Sequence, residues 1–202
     1  WELYWSPLIS TFSGMRLNEI CSLYLDNIRE IKGNHREKRW CFDILEEPER
    51  PDKHLKTLSS RRIVPIHDTL IDIGFIEFID LLKKKDPDRK RLFEELPYGE
   101  NGYNRNVTRF FNTRYLPKLG LKTSKKNFHS LRHTVSDHLK QKGIDCRQMI
   151  YPVHFAQHFK SAYDQHSFPV SERISLNSLH LHPPQINKRK AMKKNHRPFS
   201  KD

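Results

Sequence analysis

Apolar side chains recur at helical spacing along much of the chain. At its start, large apolar residues fall on one face of a helix over residues 2–13, namely Leu3, Tyr4, Trp5, Leu8, Ile9 and Phe12. Ser13-Gly14 then predicts the end of that helix. The same periodicity predicts further helices over residues 17–25, 68–85, 103–116 and 130–142. Gly74 weakens the pattern of the helix over residues 68–85, and Gly143 suits the C-terminal cap of the last one.

Between residues 28 and 66 the hydrophobic pattern changes from helical to extended. Two runs, residues 40–45 and residues 62–66, are short and rich in β-branched and aromatic side chains, which predicts strands. Pro48 and Pro51 mark a loop between them. The chain is therefore expected to be mainly α with a small antiparallel β-sheet, an α+β fold.

The C-terminal part of the chain loses its periodicity. Beyond Asp145 the pattern degrades, Pro152 interrupts any further helix, and a basic run extends from Lys188 to Arg197. We therefore predict one domain over residues 1–168 and a basic, disordered tail over residues 169–202. The first residue is Trp rather than Met and lies within an apolar helical pattern, which predicts a fragment whose front is missing.

The charge of the chain narrows the class of partner. Its 202 residues carry a formal net charge of +13, and the isoelectric point is about 9.7. A globular chain this basic favours a polyanion, with nucleic acid ahead of an anionic membrane surface. No apolar run is long enough to span a bilayer, and no signal peptide is present. Cys21, Cys41 and Cys146 lack metal-type spacing, which predicts reduced thiols in a cytosolic protein.

Four cationic side chains, far apart in sequence, suit a phosphate that gains negative charge during a reaction. The guanidinium groups of Arg16 and Arg132 can each grip two nonbridging oxygens of a phosphodiester. His129 lies three residues before Arg132, so both can share one side of a helix start, where backbone N–H groups add to the positive potential. Lys56 can donate a proton to a leaving oxygen. Together these residues predict phosphoryl-transfer chemistry.

Three motifs carry a family resemblance. In chain order they are Gly14-x-Arg16-x-x-Glu19-Ile20, then Lys56 nine residues before Pro65, then His129-x-x-Arg132-His133. They resemble the first arginine box, the hairpin lysine and the second arginine box of the tyrosine recombinases, the phage-integrase family. The resemblance covers residues 5–145 approximately and is closest to integrases of phages and genomic islands. It implies the catalytic-domain fold of the DNA breaking-rejoining enzymes.

The resemblance implies a reaction and its partners. Family members cleave DNA without metal, nucleotide or other cofactor and form a 3′-phosphotyrosine, which a 5′-hydroxyl then attacks to rejoin the strands. The expected partners are double-stranded DNA and further recombinase protomers, in a synaptic tetramer, with no membrane. The resemblance also implies a cytoplasmic protein associated with the nucleoid of a prokaryote and encoded by a mobile genetic element.

The resemblance also implies roles for individual residues. Arg16 and Arg132 would clamp the scissile phosphate, and His129 would assist phosphate binding and proton transfer. Lys56 would be the general acid toward the leaving 5′-oxygen. Glu19 is expected to brace the segment that carries Arg16.

The final family box is degenerate, and it leaves alternatives open. His154 and Tyr163 have the expected separation of nine residues, so Tyr163 would be the nucleophile with His154 as its box partner. The family's glycine before this histidine is absent, and Pro152 interrupts the preceding helix, which suggests divergence or a frameshift after about residue 148. The chain is then either a recombinase or a catalytically inactive, DNA-binding remnant. A type IB topoisomerase, a metal-dependent nuclease and a zinc site at His154 and His158 are further alternatives.

Overall fold

The computed structural model describes residues 1–32, 38–45, 47–53, 61–141 and 143. The elements are, in chain order, α1 (Glu2–Ser13), α2 (Leu17–Cys21), β1 (Ile28–Lys32), β2 (Lys38–Ile44), β3 (Arg62–Pro65), α3 (Asp68–Asp72), α4 (Phe75–Lys85), α5 (Arg105–Phe110), α6 (Leu116–Lys118) and α7 (His129–Gln141). A 3-10 turn, Leu25–Asn27, precedes β1, and a π-helical turn, Phe111–Tyr115, joins α5 to α6. Helices around one antiparallel sheet confirm the predicted α+β class for these residues.

The first helix follows the prediction at both of its ends. α1 covers the predicted residues, and Gly14 ends it in the left-handed conformation, with φ of 63° and its N–H donating to the Ser10 carbonyl at 2.9 Å. The space around Gly14 is also restricted, because a Cβ atom there would lie 3.1 Å from Val135 Cγ1. The turn after α1 therefore lies directly against α7.

The sheet has the order β1-β2-β3, and both strand pairs are antiparallel. Phe42 of β2 is fully buried and pairs with Ile28 of β1 on one side and Val64 of β3 on the other. The two predicted strands are thus confirmed, with small changes in their bounds. β1 was not predicted, because this edge strand buries only Ile28 and its other side chains are exposed or half-buried.

Two predicted helices are divided, and a third is shorter than predicted. Gly74, with φ of 90°, separates α3 from α4 within residues 68–85. The helix predicted over residues 103–116 is instead α5, the π-helical turn and α6 in succession. α2 ends at Cys21 because the following segment pairs with another loop, as Leu92 N–H donates to the Leu23 carbonyl at 2.9 Å. None of the helices in the described ranges is long and apolar enough to cross a membrane.

Aromatic side chains join the helices to the sheet. The Trp5 ring of α1 lies 5.0 Å from Phe75 of α4, and Phe75 lies 5.8 Å from Phe42 of β2, as measured between ring centroids. These three side chains are buried, and Phe75 of α4 contacts both of the others, so this cluster joins α1 to the sheet through α4. A second contact, 4.9 Å between Phe111 and Phe128, fixes the π-helical turn against the start of α7. The core therefore holds α1, which leads into the turn with Arg16, and the start of α7, which carries Arg132.

Candidate active site

Arg16 lies in the short connection between α1 and α2, where it donates hydrogen bonds to the carboxylate of Glu19. Arg16 is the residue before α2 and has an extended backbone, with φ of −69° and ψ of 144°. Its backbone N–H donates to Glu19 Oε2 at 2.9 Å, and its Nη1 donates to Glu19 Oε1 at 2.9 Å. Both the main chain and the guanidinium group of Arg16 are therefore oriented by one carboxylate, as the sequence had suggested for Glu19.

A second arginine, Arg62 of β3, binds the same carboxylate. Arg62 Nη1 donates to Glu19 Oε1 at 3.1 Å, and Arg62 Nη2 donates to Glu19 Oε2 at 2.6 Å. The side chains of Arg62 and Glu19 are each only 7% exposed, whereas that of Arg16 is 36% exposed. The ion pair of Arg62 and Glu19 is thus shielded from water, whereas the Arg16 side chain is partly exposed at the surface.

The pKa of Glu19 reflects this geometry. Burial alone would raise the pKa of the carboxyl, but the hydrogen bonds and charge of Arg62, followed by the hydrogen bonds from Arg16, outweigh burial and lower it. Glu19 is therefore ionised at neutral pH and holds both guanidinium groups by charge-assisted hydrogen bonds.

The start of α7 places His129 at the surface and Arg132 one turn further on. Phe128 is buried, and its N–H donates to Asn112 Oδ1 of the π-helical turn at 3.2 Å, which fixes the entry into the helix. His129 is exposed, and its ring makes an edge contact with that of His133 at 4.7 Å between centroids. Arg132, three residues along, is half-buried. His129 and Arg132 thus lie on one side of the helix, as predicted.

One hydrogen bond brings the two arginine motifs together. Arg132 Nη1 donates to the carbonyl oxygen of Gly14, although 118 residues separate the two in sequence. Gly14 is two residues before Arg16, and two Cα–Cα steps span at most about 7.6 Å. The guanidinium group of Arg132 therefore contacts the same turn that carries Arg16.

Four backbone amides at the start of α7 donate to groups within the protein. Asn127 N–H donates to Ser130 Oγ at 3.1 Å, and Phe128 N–H is taken by Asn112. The amides of Ser130 and Leu131 donate to the carbonyls of residues 127 and 128, at 3.0 Å and 3.1 Å. These four N–H groups are bound within the protein, so they do not by themselves offer donors to an anion.

Several predicted site residues lie outside the described residues. Lys56 belongs to residues 54–60, and His154 and Tyr163 follow residue 143. The zinc alternative at His154 and His158 and the tail over residues 169–202 fall there as well. Within the described ranges, no group of three or more His, Cys, Asp or Glu side chains is arranged to hold a metal ion.

Sequence reasoning missed Arg62 and Asn112, and only the first had a usable signal. Arg62 alternates with Val64 along β3, so the period of a strand places it on the same buried face. A charged residue on such a face needs a charged partner, which Glu19 provides. Asn112 had no such signal, because its role depends on the π-helical turn, which adds one residue to the turn and was not predictable from apolar spacing.

Comparison with known proteins gives a family match and no individual relative. No curated protein and no solved structure matches the chain significantly. The model of the phage integrase family, however, matches residues 8–151, which include all three motifs. This match spans most of the 202 residues. The chain therefore belongs to the phage integrase family, the tyrosine recombinases.

Proposed function

We propose that this chain is the catalytic domain of a site-specific DNA recombinase, which cleaves and rejoins DNA through a 3′-phosphotyrosine without metal or nucleotide. Double-stranded DNA is the substrate, and a synaptic tetramer of protomers in a prokaryotic cytoplasm is the functional assembly. Family membership supports the reaction class. The net charge of +13 supports a polyanionic substrate.

The observation that carries the proposal is the contact of Arg132 with the turn of Arg16. The Gly14 carbonyl receives one N–H of Arg132, which brings that guanidinium group to the turn that carries Arg16. Two guanidinium groups on one surface can neutralise the two nonbridging oxygens of a pentacoordinate phosphate. Loss of one such oxyanion donor typically costs about 3 kcal/mol in transition-state stabilisation.

The proposed roles follow from this clamp. Arg16 and Arg132 bind the scissile phosphate, and His129 assists phosphate binding and proton transfer. The Tyr163 hydroxyl gives its proton to His129 and attacks phosphorus, with His154 as its box partner, while the bond from phosphorus to the 5′-oxygen breaks. Lys56 gives a proton to that leaving oxygen, so the products are a 3′-phosphotyrosine and a free 5′-hydroxyl. The 5′-hydroxyl of a second strand reverses these steps.

Covalent trapping tests the proposal. The substrates are nicked DNA duplexes whose sequence around the nick is randomised. Cleavage near the nick releases a short strand that carries the 5′-hydroxyl, so religation is blocked and any phosphotyrosine accumulates. The proposal predicts a covalent protein–DNA adduct from the wild-type chain, with or without EDTA, and none from Tyr163→Phe. An adduct that persists in Tyr163→Phe excludes this tyrosine as nucleophile, and cleavage that EDTA abolishes indicates a metal-dependent nuclease instead.

The degenerate final box favours a second candidate, an inactive DNA-binding remnant of a mobile-element integrase. Pro152 and the missing glycine before His154 are the observations behind it. The remnant would bind duplex DNA in a salt-sensitive manner and give no adduct on any substrate of the pool. Relaxation of supercoiled plasmid without site preference would instead indicate a type IB topoisomerase.

A further inference from the structure

We infer that Arg62 is a positioning residue for strand cleavage, which acts through the Glu19 carboxylate to hold the phosphate-binding guanidinium group of Arg16 in place. This inference rests on the proposed function for its catalytic consequence. Its structural part, control of Arg16 by Arg62, stands on the described contacts alone.

The Glu19 carboxylate connects Arg62 to Arg16 by hydrogen bonds. Each carboxylate oxygen accepts one hydrogen bond from Arg62 and one from Arg16, so four donors converge on two oxygens. The Arg62 side is a two-pronged contact of guanidinium with carboxylate, which fixes the plane of the carboxylate as well as its position. A carboxylate held in this way cannot rotate. Its fixed oxygens in turn fix the position of the Arg16 guanidinium group, which donates to one of them.

The fold explains why β3 can supply this support. Arg62 pairs with Ile44 of β2 at the first position of β3, so its backbone is fixed by the sheet. Glu19 lies on α2, and 43 residues separate the two in sequence. The Arg62–Glu19 contact is thus a direct tie between the sheet and the connection from α1 to α2, where Arg16 sits.

The difference in burial explains why Arg62 fixes Glu19, and Glu19 fixes Arg16, rather than the reverse. Arg62 and Glu19 are nearly inaccessible to water, whereas Arg16 is partly exposed. Because the Arg62–Glu19 pair is buried, water cannot take the place of Arg62 when it is removed. The buried Glu19 carboxylate then keeps only its contacts with Arg16. Glu19 would then follow Arg16 instead of fixing it. We expect a displaced Arg16 to bind DNA almost normally but to meet the transition state poorly.

The test compares Arg62→Met with a matched control, Arg89→Met. Arg89 is equally buried, at 8% exposure of its side chain, and it also forms a two-pronged contact with a glutamate, Glu95. For each variant, DNA affinity is measured by fluorescence anisotropy and the rate of adduct formation is measured at saturating nicked duplex. Arg62→Met should reduce that rate about 10- to 100-fold with little change in affinity, whereas Arg89→Met should leave it unchanged.

Two further variants separate positioning from a general structural role. In Arg62→Lys, a single ammonium group keeps the charge but not the two-pronged geometry, so the adduct rate should be restored only in part. In the Glu19→Gln background, Arg62→Met should cause no further loss, because its effect passes through Glu19. An equal fractional loss in both backgrounds would overturn the inference.

A spectroscopic measurement decides the inference even for an inactive protein. The Arg16 amide donates to Glu19, so its ¹H–¹⁵N resonance follows protonation of that carboxyl as pH is lowered. In folded Arg62→Lys or Arg62→Met, this titration should move to higher pH, and the Arg16 side-chain resonances should broaden. An unchanged Arg16 titration contradicts the inference, whereas a wild type that forms no adduct contradicts only the proposed function.

Discussion

At the scale of single residues, the candidate site depends on one carboxylate that the sequence identified and one arginine that it did not. Glu19 was recognisable from its spacing after Arg16, which places it in the first turn of α2. The partnership with Arg62 was not recognisable, because no local pattern links positions 43 residues apart. In the sequence, a buried charge of this kind shows only as a charged residue at a position where the alternation of a strand predicts an apolar one.

Glu19→Gln should lower the free energy of unfolding by about 3 kcal/mol at pH 7, because it removes the buried carboxylate charge to which Arg62 and Arg16 donate. The folded-state pKa of Glu19 lies below its ordinary value, so the stabilisation is complete above the unfolded pKa of about 4.3 and is lost as pH falls through the folded-state pKa. Urea denaturation at several pH values should therefore show the difference from wild type shrinking in acid. Glu100→Gln, at an exposed position, should stay within about 0.5 kcal/mol of wild type throughout.

The buried thiols give a second prediction at this scale. Burial raises the pKa of Cys21 to about 12 and that of Cys41 to about 11, so neither forms much thiolate at pH 8. In a Cys146→Ser variant, both should react with a thiol reagent roughly 100-fold or more slowly in the folded state than in guanidinium chloride. Labelling followed by mass spectrometry measures this. Rapid native labelling of Cys21 would contradict its placement in the core.

At the scale of elements, the arrangement of the site depends on close packing between the turn after α1 and α7. The helices themselves followed from apolar periodicity, and the end of α1 followed from Gly14. The contact between them did not, because helical periodicity shows which face is buried but not what covers it. The division of residues 103–116 by the π-helical turn was also hidden, although that turn supplies the Asn112 contact at the start of α7.

Gly14→Ala tests this packing, with Gly120→Ala as its control. Both glycines have a left-handed backbone, with φ of 63° and 66°, but only at Gly14 does an added Cβ meet a neighbour, Val135. Gly120→Ala should cost about 1–2 kcal/mol of stability from backbone strain alone, and Gly14→Ala about 1–3 kcal/mol more. In a Val135→Ala background, the cost of Gly14→Ala should fall to that of Gly120→Ala. Equal costs in the wild-type background would contradict the predicted contact.

At the scale of the whole molecule, the sequence predicted the α+β class, the family and the order of the motifs. The motif order was informative because residues of one site need not be close in sequence, and three motifs in the family's order are specific together. The sequence could not show that Arg132 contacts Gly14, since that contact depends on how α1, α7 and the core pack. Lys56, His154 and Tyr163 stay predictions of the sequence.

The charge of the molecule predicts how it would bind DNA under the proposed function. Lys125 and Lys126 are exposed and immediately precede the start of α7, so they can contact phosphates that flank the site. Replacing both with Gln should reduce the slope of log affinity against log salt by about 2 for duplex DNA. Lys84→Gln with Lys85→Gln, the same charge change at the end of α4, should alter the slope less. Equal effects of the two pairs would contradict a binding surface centred on α7.

The most direct test asks whether Arg16 and Arg132 neutralise the same phosphate. Adduct formation is compared on nicked duplexes that carry either a phosphodiester or an uncharged methylphosphonate at the scissile position. On the phosphodiester, Arg16→Ala and Arg132→Ala should each reduce the rate about 100-fold or more. On the methylphosphonate, which lacks the negative charge, both losses should be much smaller. Losses of equal size on the two substrates, or the absence of any wild-type adduct, would contradict the account.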